Sequence, residues 1–236
     1  MGDARKVLGV VGGMGPLASA EFVKTIYECG PARREQEAPA VVLLSDPSTP
    51  DRTELLLGGD CRPLVDGLAS SLSLLLACGA SKVVVCCVTM HHVLPRLPRA
   101  LRERVVSLPD VIFSALAASR ESHLLLCTSG ARKMRLFQSH PEWANVKGRV
   151  VLPDEGDQHT VHHEIIYRLK QNCRPETVAP LVESLMRKYG VDSFVAGCTE
   201  LHLLAKRPSP YDPARRLFRC LDPLTIIAEA IAKEGI

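Results

Sequence analysis

Short, β-branched apolar runs recur along this chain at Lys6 to Val11, Ala40 to Ser45, Lys82 to Cys87, His123 to Cys127, Arg149 to Leu152 and Asp192 to Gly197. They are near-continuous rather than alternating, the pattern of strands buried on both faces of a parallel sheet. Helix-patterned segments lie between them: Leu17 to Cys29, Cys61 to Cys78, Asp110 to Ala118, Thr160 to Gln171 and Pro175 to Tyr189, with a last one at Leu224 to Lys233. Parallel strands need long crossovers, and such crossovers are right-handed. The alternation therefore predicts an α/β architecture. No Gly/Ser linker divides the chain. The turn-rich stretch Arg99 to Pro109 is the expected crossing between halves, and the Pro-rich segment 207–222 is a second connection.

The halves echo each other. Residues 82–92 read KVVVCCVTMHH and residues 192–202 read DSFVAGCTELH. Each is a buried strand ending on a cysteine, followed closely by Thr and His. Ligands of open α/β sheets bind beyond the carboxyl ends of strands, so Cys87 and Cys198 are placed to face a shared cleft. A thiolate is a competent base where its surroundings favour it. Two thiols on opposite sides of a carbon can remove a proton from one face and supply one to the other. The plainer alternative is a pair of buried cysteines that only pack.

Nine cysteines lie between Cys29 and Cys220 without a dense framework. That is the pattern of free thiols in a reducing compartment. Cys86 and Cys87 are no metal clamp, because adjacent strand residues point to opposite faces and no C-x-x-C occurs. Cys29, Cys61, Cys78, Cys173 and Cys220 are read as packing or surface residues. The formal charge of +3, with basic and acidic residues interspersed, gives no reason to expect nucleic acid. No secretory leader and no run long enough to span a bilayer is found, so a cytoplasmic protein is expected.

Two loops carry further polar chemistry. Residues 9–18, GVVGGMGPLA, satisfy a dinucleotide pattern at Gly13, Gly15 and Ala18. Pro16 removes an amide that a pyrophosphate would use, so a smaller anion such as a carboxylate suits the loop better. Residues 45–58, SDPSTPDRTELLLG, form an ordered turn beyond a strand. Its Arg52 offers a guanidinium fork for a carboxylate, or pairs with Asp51 or Glu54 as a surface arginine commonly does.

Taken in order, these elements resemble the aspartate/glutamate racemase family, in its aspartate racemase branch. The G-G-M-G-P-L-A loop is matched by Gly12 to Ala18 and the P-x-x-P-D-R-T loop by Pro47 to Thr53. The first cysteine motif, C-N-T-x-H, is matched at Cys87, Thr89 and His91, and the second, G-C-T-E, at Gly197 to Glu200. A late D-P is matched by Asp222 and Pro223. The resemblance implies two similar α/β domains, each a mainly parallel sheet flanked by helices, with the active site in the cleft between them. The first would cover 1–104 plus 208–236, its C-terminal helix returning, and the second 105–207. It also implies a racemase without a cofactor or metal, commonly a homodimer, acting on a small acidic amino acid or related carboxylate. Cys87 and Cys198 would be catalytic. Arg52, Lys170, Thr89, Thr199, Gly13, Met14, Val88 and Ser129 would bind substrate, while His91 and Glu200 would support the thiols.

The chain departs from the pattern in two donors. The family's Asn after the first cysteine is Val88, and the second Thr of its T-x-G-T loop is Ala131, followed by basic Arg132, Lys133 and Arg135. A lost hydrogen bond to a charged group is worth about 1.5–3 kcal/mol. Rival expectations are an isomerase acting on an altered dicarboxylate, a catalytically weak dicarboxylate-binding protein, and a cysteine-based redox or metal protein. The segment KRPSPYDPARRLFRC at 206–220 is expected at the cleft rim or on the surface. His162 and His163 are expected to be solvated or capping, Asp110 to cap a helix, and His202 to lie near enough to tune Cys198.

Overall fold

Every one of the near-continuous apolar runs becomes a strand in one of two four-stranded sheets. The computed structural model describes residues 6–30, 34–207 and 217–234. In the first sheet, β1 (Val7–Gly12), β2 (Ala40–Ser45), β3 (Ala80–Val85) and β4 (Val105–Val106) lie in the order β2-β1-β3-β4, parallel throughout. In the second, β5 (His123–Cys127), β6 (Val150–Val151), β7 (Ser193–Gly197) and β8 (Arg219–Leu221) lie in the order β6-β5-β7-β8, again parallel. Counted from the first strand of each half, the two orders are the same. β3 and β7 occupy equivalent positions, and each leads directly to one of the paired cysteine motifs.

Side chains of a strand alternate between faces, and both faces here are apolar. Val84 joins one cluster with Leu8 and Val10, while its neighbours Val83 and Val85 join another with Leu64, Leu68 and Leu72 of the helix Arg62–Ala77. Leu125 and Cys127 of β5 face the first cluster, and Leu124 and Leu126 face a third. The first cluster spans the two sheets. It also takes in Phe22 and Ile26 of α1 (Pro16–Cys29), Ile112 and Phe113 of the helix Leu108–Ala118, and Leu224 of the final helix Pro223–Glu234. Each buried Leu, Ile or Phe contributes about 1.5–3 kcal/mol, so this shared layer fastens the halves together.

The sheets divide the chain a few residues from the expected boundaries. Val105–Val106, assigned to the second domain, is an edge strand of the first sheet, and Arg219–Leu221, assigned to the first, is an edge strand of the second. Both strands are too short for a pattern to reveal them. The final helix packs against α1 and the helix Leu108–Ala118. Residues 208–216 of the Pro-rich segment lie outside the described residues.

Local capping decides several helix starts. Asp51 accepts from the Glu54 amide at 3.0 Å and opens α2 (Arg52–Gly58) inside what the sequence presents as a loop. Ser107, rather than Asp110, caps the helix Leu108–Ala118, accepting from the Asp110 amide at 3.2 Å. Thr128 caps a short helix, Ser129–Lys133, through the Ala131 amide at 3.1 Å. The expected helix Thr160 to Gln171 is π-helical over Thr160–Tyr167, a widened turn that often accompanies functional sites. No helix among the described residues is long and apolar enough to cross a membrane.

Candidate active site

The two cysteines share one local design. Cys87 follows β3 in extended conformation, with φ −163° and ψ 107°, and begins a 3₁₀ segment, Val88–Arg96. Cys198 follows β7, also extended at φ −142° and ψ 137°, and begins the 3₁₀ turn Thr199–Leu201. Both are buried. Cys87 belongs to the cluster on one face of the first sheet and Cys86 to the shared cluster on the other, so the adjacent thiols diverge as strand geometry requires. Among the described residues no group of three or more His, Cys, Asp or Glu is arranged to hold a metal ion.

Cys198 Sγ donates to Glu200 Oε2 at 2.8 Å. Burial first, then the Glu200 charge, push this thiol well above its usual value, against an opposing pull from Lys170. Cys198 is therefore a thiol, holding its proton at neutral pH. The other carboxylate oxygen, Glu200 Oε1, is buried with no hydrogen-bond partner.

The glycine loop and Arg52 close the site from the first half. Gly13 has φ +88°, and a Cβ there would lie 2.3 Å from the Asp46 backbone, so only glycine fits. Arg52 donates through Nη2 to the Met14 carbonyl at 2.9 Å, and through Nη1 to the carbonyls of Pro50 at 3.1 Å and Thr49 at 3.3 Å. An arginine has five N–H donors. Three are thus occupied by the chain, and Nε is buried without a partner. Burial works against the guanidinium charge, but anionic neighbours, Asp51 and Glu200 among them, raise the Arg52 pKa further above its ordinary value. Arg52 is not the surface arginine of the alternative view. Asp51 instead caps α2 and accepts from Tyr167 Oη at 2.6 Å.

Lys170 Nζ lies 4.5 Å from the centre of the Tyr167 ring, one turn away on the same helix. Burial and the bond to Asp51 push the Tyr167 phenol up, keeping its proton for that bond. Asp51, though its burial acts the other way, is held below the usual carboxylate range by Tyr167, the Glu54 amide, Lys170 and Arg52.

Two buried threonine bonds join the halves beside the thiols. Thr89 and Thr128 hydroxyls lie 3.0 Å apart, and Thr199 Oγ1 donates to the Cys86 carbonyl at 3.0 Å. The Ser129 amide donates to His162 Nδ1 at 3.2 Å. His162 is buried rather than solvated; burial, then His163 and Lys170, lower its pKa to about 4, so it is neutral. Thr53, Ser129, Arg132, Lys133 and His162 line a cavity of about 540 Å³ beside this point.

The two departures from the family motifs fall in one place. Val88 and Ala131 are 0% and 1% exposed and belong to the same apolar cluster. Val88, expected to meet substrate, has its side chain in that core. Two further histidines are held by the chain itself. His91 is fully engaged by backbone, with Nδ1 3.1 Å from the Cys87 carbonyl and Nε2 accepting from the Leu108 amide at 3.0 Å. Burial lowers its pKa, so it is a neutral brace for the Cys87 turn. His202 does not turn toward Cys198. Its Nδ1 is 2.6 Å from Asp222 Oδ2 and its Nε2 is 2.9 Å from Thr25 Oγ1.

Four residues join the predicted ones in this network: Tyr167 and Thr128, which the sequence does not single out, and Asp51 and His162, which it presents as a surface ion-pair partner and a solvated or capping group. Two had a signal. Asp51 and Glu54 stand at capping-box spacing, and Tyr167 stands three residues before Lys170 on a common helix face.

Comparison with known proteins agrees with this fold. A structure of Picrophilus torridus aspartate racemase is similar at a TM-score of 0.80 and 22% identity, over 98% of this chain and 94% of that one. An aspartate racemase homologue from Pyrococcus horikoshii gives 0.65 and 17%, over 98% and 99%. Glutamate racemase from Campylobacter jejuni gives 0.60 and 14%, over 96% and 85%. An uncharacterized protein of Pectobacterium carotovorum is 26% identical over 113 residues, 47% of this chain and 74% of that protein. At these identities the solved structures show the fold. The model of the family described as Asp/Glu/Hydantoin racemase matches residues 11–231, and the chain belongs to that family.

Proposed function

We propose that this protein racemises an acidic α-amino acid without a cofactor, Cys87 and Cys198 serving as base and acid on opposite faces of the α-carbon. The observation that carries this is the pair of buried thiols at equivalent strand ends, with the Cys198 thiol donating to Glu200 Oε2. In one direction Cys87, as thiolate, takes the α-proton while Cys198 delivers its own proton to the other face. The opposite enantiomer reverses the roles. Arg52 and Lys170 supply positive charge for the substrate carboxylates and for the negative charge that develops on the α-carbon.

The supporting frame is two lobes, one per sheet, that the shared apolar cluster and the two threonine bonds hold in register. Assembly as a homodimer in the cytoplasm completes this reading, on the strength of the family resemblance.

The test is exchange of the α-hydrogen in deuterated water, followed by proton NMR, for both enantiomers of aspartate and glutamate. Exchange is expected in the wild type for both enantiomers, and Cys87→Ala and Cys198→Ala each lose it at least about a thousandfold for the enantiomer whose α-proton the missing thiol takes, the order of magnitude for removing a general base. Tight dicarboxylate binding with no exchange would instead make the chain a binding protein, a reading that the apolar Val88 and Ala131 favour.

A further inference from the structure

Both thiols are covered. Cys87 and Cys198 are 5% and 3% exposed, which leaves no room beside either for a molecule the size of an amino acid. Whatever reacts there enters only after the lobes part. Where they meet, α2 of the first lobe is pressed against the short helix Ser129–Lys133 of the second. A Cβ on Gly130 would stand 2.8 Å from Thr53 Oγ1 and 3.0 Å from its Cα, so the missing side chain permits the approach. One residue before α2, Asp51 divides its carboxylate between the lobes. Oδ1 accepts from the Glu54 amide of its own helix, and Oδ2 accepts from Tyr167 Oη of the second lobe at 2.6 Å. The two threonine bonds beside the thiols are buried, whereas this one is part-buried and lies nearer the surface.

We propose that the Asp51–Tyr167 bond is a latch that gates access to the thiols. Made, it holds α2 against the second lobe over the site. Broken, it lets the lobes part there while the shared apolar cluster keeps them joined. A phenol donating to a carboxylate belongs to the strong, charge-assisted class of hydrogen bond. A single such bond near the surface still opens and recloses without unfolding the rest of the chain. Tyr167 ends the π-helical segment and shares its helix with Lys170, whose ammonium lies over the phenol ring. Opening therefore draws Lys170 away from Asp51 and Arg52 as it uncovers Cys87. The latch rests on the racemase proposal only for what enters; as a property of the fold it stands apart from turnover.

Alkylation of Cys87 by iodoacetamide at one fixed pH, read by peptide mass spectrometry, reports how often the cleft is open and needs no substrate. Tyr167→Phe keeps the ring under Lys170 and removes only the hydroxyl. Loss of one charge-assisted bond shifts an equilibrium by about tenfold or more, and Cys87 labelling should quicken by that factor. Asp51→Asn keeps a good helix cap and weakens the acceptor. It should move the rate the same way, and it carries the test if Tyr167→Phe does not fold. Two controls separate latch opening from general loosening. Cys127, 2% exposed in the shared cluster, should stay unlabelled. Tyr189→Phe, which loses a bond of 2.6 Å to Asp157 inside the second lobe, should leave Cys87 at the wild-type rate. A Cys87 rate unchanged in whichever latch variant folds, an equal rise in Tyr189→Phe, or Cys127 labelling in step with Cys87 overturns the inference. Exchange at the α-carbon is read separately. Exchange without latch-dependent labelling removes the latch and leaves the racemase proposal, whereas latch-dependent labelling without exchange does the reverse.

Discussion

Replacing Asp222 by alanine would break a buried polar junction that ties three distant elements together. Asp222 and His202 are both essentially without exposed surface, with Oδ2 and Nδ1 2.6 Å apart. The same Oδ2 accepts from Thr225 Oγ1 at 2.6 Å, and Oδ1 accepts from the Leu224 amide at 3.2 Å, capping the final helix. His202 in turn reaches Thr25 of α1 at 2.9 Å. Asp222→Ala leaves the His202 and Thr225 donors and the Leu224 amide without their acceptor. Losing the cap costs about 1 kcal/mol, and each stranded buried donor about 1–3 kcal/mol. With relaxation, we expect a loss of about 3–5 kcal/mol, the range for removing one partner of a buried charged pair. For a domain of this size that is a fall of about 6–20 °C in Tm.

The pH dependence has a definite sign. Burial opposes the Asp222 charge, but His202, Thr225 and the Leu224 amide together hold its carboxyl below 3.8, the ordinary value. A depressed carboxylate stabilises the fold fully above the unfolded value, and the stabilisation is lost as pH falls through the folded one. Urea unfolding followed by circular dichroism should show a constant gap between wild type and Asp222→Ala from neutral pH down to about 5, closing below about 4. A loss under about 1 kcal/mol at pH 7, or a gap indifferent to acid, would refute the reasoning.

Two further outcomes follow from the site. Val88→Asn restores the family's residue type but inserts an amide into the shared apolar cluster, and should lower stability by about 1–3 kcal/mol in denaturant titration. Iodoacetamide labelling read by peptide mass spectrometry should find Cys198 slow until the pH rises well past the ordinary thiol value of 9.0, because burial and Glu200 both favour its protonated form. Glu200→Gln removes the anionic neighbour and moves that onset to lower pH.

Much of the fold was legible because burial on both faces writes a strand as an unbroken apolar run. Val83, Val84 and Val85 are all fully buried, on alternating sides, and no helix pattern imitates that. The two-residue β4 and three-residue β8 escaped because so short a segment has no period. Their sheet membership comes only from neighbours far away in sequence. α2 was hidden inside a Pro-rich turn whose first half really is a turn; its Asp51 cap marks where helix begins.

The site was legible as residue types in order and illegible as a set of bonds. Cys87, Cys198 and Arg52 stand in recognisable motifs, each beside the end of a strand or the start of a helix. Which way each turns depends on what the rest of the chain brings opposite. His91 and His202 read alike as histidines just past a thiol, yet one braces a turn through backbone and the other faces Thr25 and Asp222. Val88 and Ala131 look like two separate losses and are one apolar region in the core.

By itself, then, the sequence determined the α/β alternation and the repeated strand–cysteine unit, since these follow from local periodicity. Only the tertiary structure decided which hydrogen-bonding groups are satisfied and which are left open. Thr199 meets Cys86, and Tyr167 meets Asp51, across more than a hundred residues. Arg52 Nε and Glu200 Oε1 are left without a partner once all such pairings are made. That remainder is a property of the whole packed chain, because a donor is free only when every nearby acceptor has been placed.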